Sequence, residues 1–226
     1  MQRIPWSARD VWIGIGALVL WMVLAMGASA LVDWLSFEID PGLFLSVTEL
    51  GLLVPVWLVM RKYGAGWRAL GLRPFSWGGL GLGCGLMIVL SFVNATYAAV
   101  LFQFDLRAQP DLLPILADLD SPWFFVLGAA VVAPFVEEVF FRGLLFGGLR
   151  RRFDWKVAAA ISAALFAAIH LQPLAIPPIF LLGYLFAFLY HRTGSLWPSI
   201  LMHLSTNTLA VAAVYLRMWL ETVTPV

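Results

Sequence analysis

The chain has 226 residues, of which 62% are hydrophobic and only 12% are charged, and its mean hydropathy is +0.91. Soluble domains are roughly half apolar and a quarter charged. The composition therefore excludes an ordinary soluble protein and indicates an integral membrane protein. The net charge of +1 gives no sign of a nucleic-acid partner, and the single cysteine, Cys84, excludes an intrachain disulfide and a cysteine-based metal site.

Seven apolar segments predict an all-α, polytopic transmembrane helical bundle of about seven spans that makes up one domain, residues 1–226. The segments lie at 11–32, 42–60, 77–102, 122–149, 156–171, 175–190 and 196–219. A membrane span needs about 20 residues, so the fifth and sixth segments are short. The prolines at 173, 177 and 178 predict a tight turn between those two segments.

The distribution of charge predicts how the chain is oriented in the membrane. Basic residues occupy alternate connections: Arg3 and Arg9, then Arg61, Lys62, Arg68 and Arg73, then Arg150, Arg151, Arg152 and Lys156, and finally Arg192. The opposite connections are mainly acidic, with Asp33, Glu38, Asp40, Asp105, Asp111, Asp118 and Asp120. Because basic loops stay in the cytoplasm, we expect a cytoplasmic N-terminus and a C-terminus outside.

Two adjacent carboxylates, Glu137 and Glu138, interrupt the fourth apolar segment, and Arg142 follows them. A charge in the bilayer centre costs at least about 2.5–3.5 kcal/mol, so these residues need partners. Glu138 and Arg142 are four residues apart and can form an ion pair on one helix face. Glu137 points about 100° away and is free to act as an acid or base. A structural ion network that joins helices is the alternative interpretation.

Polar residues in the last segments are predicted to meet Glu137. His170 is about as far as Glu137 from the loop centred near residue 153, so the two residues should lie at one depth. His203 and Asn207 are four apart and share a helix face, and His203 should lie near the depth of Phe166. The four side chains can then converge on an intramembrane polar cavity. A water-exposed histidine at a helix end and interhelical hydrogen bonding are the alternatives.

Such a cavity can activate water in two ways. Glu137, His170 and His203 can hold a divalent metal such as Zn²⁺ with an open position for water. Alternatively, Glu137 deprotonates water directly, with histidine assisting and the Asn207 amide stabilising an oxyanion. Both routes fit hydrolysis of an acyl bond. The sequence contains neither a His-Glu-x-x-His motif nor a Gly-x-Ser-x-Gly motif.

The motifs together resemble one protein family. Glu137-Glu138-x-x-x-Arg142, Phe166-x-x-x-His170 and His203-x-x-x-Asn207 occur in the order found in the CAAX protease and bacteriocin-processing (CPBP) family. These are intramembrane glutamate-dependent or metallo-proteases related to the Ras-converting CAAX endopeptidase. The resemblance covers about residues 122–215, which would form the catalytic core.

The resemblance implies an endopeptidase of the bacterial plasma membrane that cleaves a membrane-associated or lipidated peptide or protein. It implies that Glu137 is the catalytic acid/base and that His170, His203 and Asn207 complete the water site. Glu138 and Arg142 would support that site. A metalloprotease with Zn²⁺ or another divalent metal is one form of this expectation.

Two other classes of function remain open. A proton-coupled transporter would also bury Glu and His, but a proton relay needs polar residues along the membrane thickness, whereas here they cluster at one depth. A non-catalytic scaffold or immunity protein would bind a membrane partner without hydrolysis. Two more polar residues inside apolar segments, Glu49 and Asn94, have no assigned role.

Overall fold

The computed structural model describes residues 4–108, 113–117, 119 and 122–223, and this part of the chain is helical with no β-strand. Seven main helices, numbered α1 to α7, account for most of it. They are α1 Ala8–Trp34, α2 Pro41–Lys62, α3 Trp77–Phe102, α4 Trp123–Leu149, α5 Trp155–Ala168, α6 Ile176–Thr193 and α7 Trp197–Val223. Shorter helices at Trp67–Leu70 and Leu113–Ala117 lie in the connections.

The all-α, multi-pass membrane architecture predicted from the sequence is confirmed. Within the described residues, six helical segments are long and apolar enough to cross a membrane, and α5 is a shorter apolar helix. Its 14 residues reach only about 21 Å at 1.5 Å per residue, less than the roughly 30 Å hydrocarbon core. The fifth predicted span, 156–171, is therefore the one that falls short of the usual length.

The end of α5 has a local cause. Leu171 has a positive φ of 54°, and the chain then enters a 3₁₀ turn over Pro173–Ala175 before α6 starts. Proline cannot continue the preceding helix, so the tight turn predicted here is present. The orientation of the termini stays a prediction, and the acidic residues Asp111, Asp118 and Asp120 used for it lie outside the described residues.

Helix α4 lies at the centre of the bundle. In the most apolar 18-residue stretch of α4, 56% of the residues are buried, whereas in the corresponding stretches of α1 and α3 only 6% are buried. Phe140, Phe141 and Phe146 on α4 are fully buried. The polar residues of α4 are thus enclosed by protein, while much of α1 and α3 presents apolar side chains outwards, as expected for helices that face lipid.

Helix α2 approaches α4 closely because both helices carry glycine at the contact. A Cβ atom added to Gly42 would lie 2.0 Å from the backbone nitrogen of Phe125, and one added to Gly128 would lie 2.7 Å from Oγ of Ser46. Small residues of this kind let membrane helices pack backbone to backbone. Glu49 is seven residues after Gly42 and therefore lies on the same face of α2, towards α4.

Candidate active site

Glu138 and Arg142 form a fully buried ion pair in α4. Nη1 of Arg142 lies 2.9 Å from Oε1 of Glu138, and neither side chain is exposed. Nη2 of Arg142 donates a hydrogen bond to the backbone carbonyl of Gly183 on α6 at 3.0 Å. The ion pair predicted from the spacing is confirmed. It compensates each charge with the other, as a buried charge requires.

Aromatic rings enclose the guanidinium group. Its carbon lies 4.3 Å from the ring centre of Phe166 and 5.3 Å from that of Phe186. A cation over an aromatic face within about 6 Å is attracted by the ring. The cage holds Arg142 in place between α4, α5 and α6.

His203 on α7 lies between the two glutamates. Its Nδ1 is 3.1 Å from Oε1 of Glu138, and its Nε2 is 3.5 Å from Oε2 of Glu137. The imidazole stacks on the ring of Phe186 with centroids 4.9 Å apart. All three polar residues are buried, with exposures of 5% for His203, 6% for Glu137 and 0% for Glu138.

The surroundings determine which nitrogen of His203 carries the proton. Glu138 is held as an acceptor by its ion pair with Arg142, so Nδ1–H of His203 donates to it. In the neutral imidazole Nε2 then carries the lone pair, which faces the carboxylate of Glu137. The lone pair of Nε2 and the carboxylate oxygen of Glu137 are both hydrogen-bond acceptors, and at 3.5 Å they favour a proton shared between them. Glu137 and His203 thus form an acid–base pair that Glu138 orients from behind.

His170 lies two residues beyond the end of α5. Its Nδ1 is 2.8 Å from the carbonyl oxygen of Phe166, so Nδ1–H donates to that carbonyl and Nε2 is left for other partners. The Phe166 ring makes edge contacts with both histidines, 5.1 Å from His170 and 5.7 Å from His203 between centroids. The predicted proximity of Phe166 and His203 in depth is confirmed by this contact.

Asn207 is held by an irregularity in α4. Residues Gly128–Val132 form π-helical turns, in which Ala133 N–H bonds to Gly128 five residues back. The next such donor would be residue 134, a proline without an N–H. The carbonyl of Ala129 is left without that bond, and Nδ2 of Asn207 donates to it at 2.8 Å. One amide hydrogen of Asn207 is thereby used and the second remains available.

A cavity of about 270 Å³ lies between α4, α5, α6 and α7. His170, His203 and Asn207 line it, together with the two aromatic rings of the cage, Phe166 and Phe186. Glu137 is not among the lining residues; its carboxylate lies against His203 instead. The expectation that Glu137 faces the cavity directly is corrected in this respect, because α7 packs over that face of α4.

A metal site of three ligands does not form in this arrangement. Across the described ranges, no group of three His, Cys, Asp or Glu side chains is placed to hold a metal ion. Glu137 and His203 approach each other, but His170 is turned towards the backbone of Phe166. The predicted ligand set of Glu137, His170 and His203 is untested as a binder and stays a prediction.

Several partners were not predictable from the motifs. The carbonyls of Ala129 and Gly183 come from distant positions, and only Pro134 in the sequence indicates that one nearby carbonyl lacks its usual donor. Glu49 on α2 interacts electrostatically with Glu137, and its Oε2 is buried without a hydrogen-bond partner in the part of the chain that the structure describes.

Comparison with known proteins identifies the segment that carries this site. Residues 119–209 match the sequence model of the family described as "Type II CAAX prenyl endopeptidase Rce1-like". This segment is similar to the Rce1-like family over 91 of the 226 residues of the chain. It contains all seven residues named in the three motifs, from Glu137 to Asn207, so the resemblance drawn from the motifs is confirmed.

Two curated relatives share part of the chain. A Bacillus subtilis (strain 168) protein named "Putative membrane peptidase YdiL" is 34% identical over 105 residues, which is 46% of this chain and 43% of that protein. An Escherichia coli protein named "Uncharacterized 24.3 kDa protein" is 31% identical over 113 residues, 47% of this chain and 52% of that protein. The chain spans about half the length of these relatives. No solved structure matches it.

Proposed function

We propose that this protein is an intramembrane endopeptidase that hydrolyses a peptide bond in a membrane-associated or lipidated peptide or protein. The observation that carries the proposal is the position of His203 between two buried glutamates, at the wall of a cavity inside the helical bundle. His203 also lies in the segment that is similar to Rce1-like endopeptidases, and this similarity supports peptide-bond hydrolysis as the reaction. A buried acid–base pair beside a cavity is the arrangement that hydrolysis requires.

Glu137 and His203 act on water as one unit. A water molecule in the cavity loses a proton to the pair, and its oxygen attacks the carbonyl carbon of the peptide bond. The carbon–nitrogen bond then breaks as the same proton passes from Nε2 of His203 to the leaving nitrogen. The second proton of the water stays on the new carboxyl group, so the products are a carboxylic acid and an amine, which become a carboxylate and an ammonium ion when that proton moves to the amine. The pair returns to its starting state, so atoms and charge balance.

The other polar residues stabilise this sequence of steps. The second amide hydrogen of Asn207 faces the developing oxyanion, a contribution that a preorganised donor makes in a dry site. Nε2 of His170 accepts a hydrogen bond from the attacking water. Glu138, fixed by Arg142, keeps His203 in the tautomer with its lone pair towards Glu137. These residues orient the reacting groups within a low-dielectric interior.

A divalent metal is the other water activator that the sequence leaves open. Among the described residues His170 bonds to the backbone carbonyl of Phe166 and is not grouped with Glu137 and His203 as a set of three ligands, which favours the metal-free route. The reaction above is therefore routed through the carboxylate and imidazole alone. Metal content and chelator sensitivity of the active protein test this choice.

The surroundings of the cavity suit a substrate that comes from the membrane. A second cleft of about 380 Å³ runs between α4 and α7, is lined almost entirely by apolar side chains such as Val126 and Ala212, and shares Val211 with the catalytic cavity. Apolar lining of this kind accommodates a lipid chain or an apolar peptide segment. The proposal of a membrane-associated or lipidated substrate is based on the contact of this apolar cleft with the catalytic cavity at Val211.

Comparative proteomics of membrane-associated peptides tests the proposal in cells. Cells with the native chain should release fragments that are missing when the chain carries Glu137→Ala. Glu38→Gln is the matched control, because Glu38 is an exposed carboxylate between α1 and α2, remote in sequence from the site motifs. Identical peptide profiles for native and Glu137→Ala cells would contradict hydrolysis and favour the scaffold interpretation.

A further inference from the structure

A third cleft, lined by arginine and aromatic residues, lies at the basic end of the bundle, apart from the catalytic cavity. It has a volume of about 450 Å³, within the usual range for small-molecule sites. Its lining comes from the α2–α3 connection and from the first turns of α3 and α7: Arg68, Leu72, Arg73, Pro74, Phe75, Trp77 and Trp197. Of the described residues that line it, two are arginines and none is acidic.

The walls of this cleft are held in place by hydrogen bonds between distant segments. The N–H of Leu196 donates to the carbonyl of Gly71 at 2.9 Å, and Oγ of Ser195 donates to the carbonyl of Arg73 at 2.6 Å. The hydroxyl of Tyr190 donates to the carbonyl of Leu70 at 2.9 Å. The α2–α3 connection is thus joined to the start of α7 and to the end of α6 by hydrogen bonds that shape the cleft.

The chemistry of the lining favours an anion. The guanidinium group of Arg68 provides a fork of donors that matches phosphate oxygens. Arg73, whose side chain is hydrogen-bonded to Tyr190, adds a second positive charge. Trp77 and Trp197 are the first residues of α3 and α7, so the partly positive ends of two long helices add to the same field. No side chain caps the first turn of α3 at Ser76, which leaves its backbone donors free of a competing acceptor from that residue.

The position of the cleft indicates where the anion comes from. Trp77 is 82% exposed and Trp197 is 36% exposed, and such tryptophans at the ends of membrane helices lie at the level of the lipid headgroups. A half-buried phenylalanine, Phe75, packs edge-on against Trp77 with centroids 6.3 Å apart. An aromatic rim around two arginines at this level suits a molecule with a phosphate group and an apolar tail.

We infer that the cleft formed by Arg68, Arg73, Trp77 and Trp197 is a binding site for the phosphate headgroup of an anionic phospholipid. Arg68 binds the phosphate, the positive charge of Arg73 attracts it, and the tryptophans lie against the glycerol and upper acyl region. The inference is independent of the proposed hydrolysis, since it uses none of the residues of the catalytic cavity.

Binding of phosphatidylglycerol to the purified full chain tests this site. The chain is placed in nanodiscs of phosphatidylcholine with rising fractions of phosphatidylglycerol, and retained lipid is counted by native mass spectrometry. We expect one retained phosphatidylglycerol and about fivefold weaker retention in Arg68→Gln, the effect of removing one cation near an anionic lipid. Arg68 is exposed, so this variant should fold even if Arg73→Gln does not.

Arg192→Gln is the matched control, because it removes the same charge from an exposed arginine that does not line the cleft. Equal weakening by Arg192→Gln would overturn the inference, since it would show attraction by the basic face as a whole. Equal retention of phosphatidylcholine and phosphatidylglycerol would overturn it too. Inorganic phosphate or glycerol 3-phosphate that binds as tightly as the lipid would identify a soluble phosphate as the ligand and contradict the lipid assignment.

Discussion

Asn207 on α7 donates a hydrogen bond to the carbonyl of Ala129 on α4, over 2.8 Å. In a π-helical turn the carbonyl of Ala129 would accept from the N–H of the residue five positions later. That residue is Pro134, which has no N–H, so α4 does not provide the donor. A proline inside a membrane helix thus provides an acceptor for a catalytic candidate on another helix. π-Helical turns occur frequently at functional sites, and here one such turn positions the amide.

Replacing Asn207 separates a catalytic role from a structural one. As an oxyanion donor, its loss in Asn207→Ala should reduce kcat by about 10²–10³ with little change in KM. As an interhelical hydrogen bond alone, its loss should change stability by less than about 2 kcal/mol and leave kcat unaltered. Steady-state kinetics and unfolding of the purified variant provide the two readouts.

Pro134→Ala is the companion to that experiment. It restores an N–H that can donate to Ala129, so the structural contribution of Asn207 to stability should shrink in this background. A double-mutant cycle of the two substitutions should therefore show a coupling of about 0.5–2 kcal/mol. Additive effects of the two substitutions on stability would contradict the linkage between Pro134 and Asn207.

Removing either partner of the buried Glu138–Arg142 ion pair should lower the stability of the protein. Glu138→Gln and Arg142→Ala should each destabilise the protein by about 3–5 kcal/mol, because each leaves one charge buried without its partner. Unfolding in detergent measures the change. Glu221→Gln is the control, since Glu221 is paired with Arg217 four residues away at an exposed position, where such pairs contribute little. Near-native stability of Glu138→Gln would contradict the structural assignment of the pair.

Gly183 provides a test of the close approach that lets Arg142 reach α6. A Cβ atom there would lie 3.0 Å from Nη2 of Arg142 and 3.2 Å from Cα of Ala163. Gly183→Ala should therefore cost about 1–3 kcal/mol, the usual effect of overpacking. Gly85→Ala is the matched control, as nothing lies within 4 Å of its Cβ position, and alanine is the better helix former there. A thermal unfolding series should separate the two variants.

Metal dependence can be measured on the active protein. Because the described side chains do not form a three-ligand site, we expect turnover to survive dialysis against a strong chelator and metal content to fall well below one ion per chain. Stoichiometric zinc in the active protein, lost together with activity in His170→Ala and His203→Ala, would contradict the carboxylate route and favour a metal-bound water.

The number of membrane crossings is testable with reporter fusions at residues 65, 153 and 226. The sequence predicts that the first two positions are cytoplasmic and the last is outside, with α5 crossing despite its length. A cytoplasmic C-terminus would indicate that the chain crosses six times and that α5 enters the membrane without crossing it.

Local spacing explains which parts of the site were predictable. Glu138 with Arg142 and His203 with Asn207 are pairs on one helix, so their shared faces follow from helical geometry alone. That the fifth segment is short for a span was predictable, but its end at Ala168 was not, because the apolar pattern continues to Ile169. The apolar pattern reports which residues are buried or face lipid, whereas the end of a helix depends on the local backbone conformation.

The partners from distant segments were not predictable for a related reason. π-Helical turns in α4 change the angle between successive side chains, so the direction of Glu137 cannot be derived from 100° per residue. Which backbone carbonyls receive Asn207 and Arg142 depends on how α4, α6 and α7 pack. Only Pro134 signals in advance that an acceptor in α4 is free.

The activity of Glu137→Gln tests the central claim most directly. Gln cannot take the proton from water, so the purified variant should fold with near-normal yield but cleave a peptide substrate at least about 10²-fold more slowly, the lower range for loss of general acid–base catalysis. Glu38→Gln, measured in parallel, should retain native turnover. Native turnover by Glu137→Gln would contradict the account, because the reaction would then not depend on the Glu137–His203 pair.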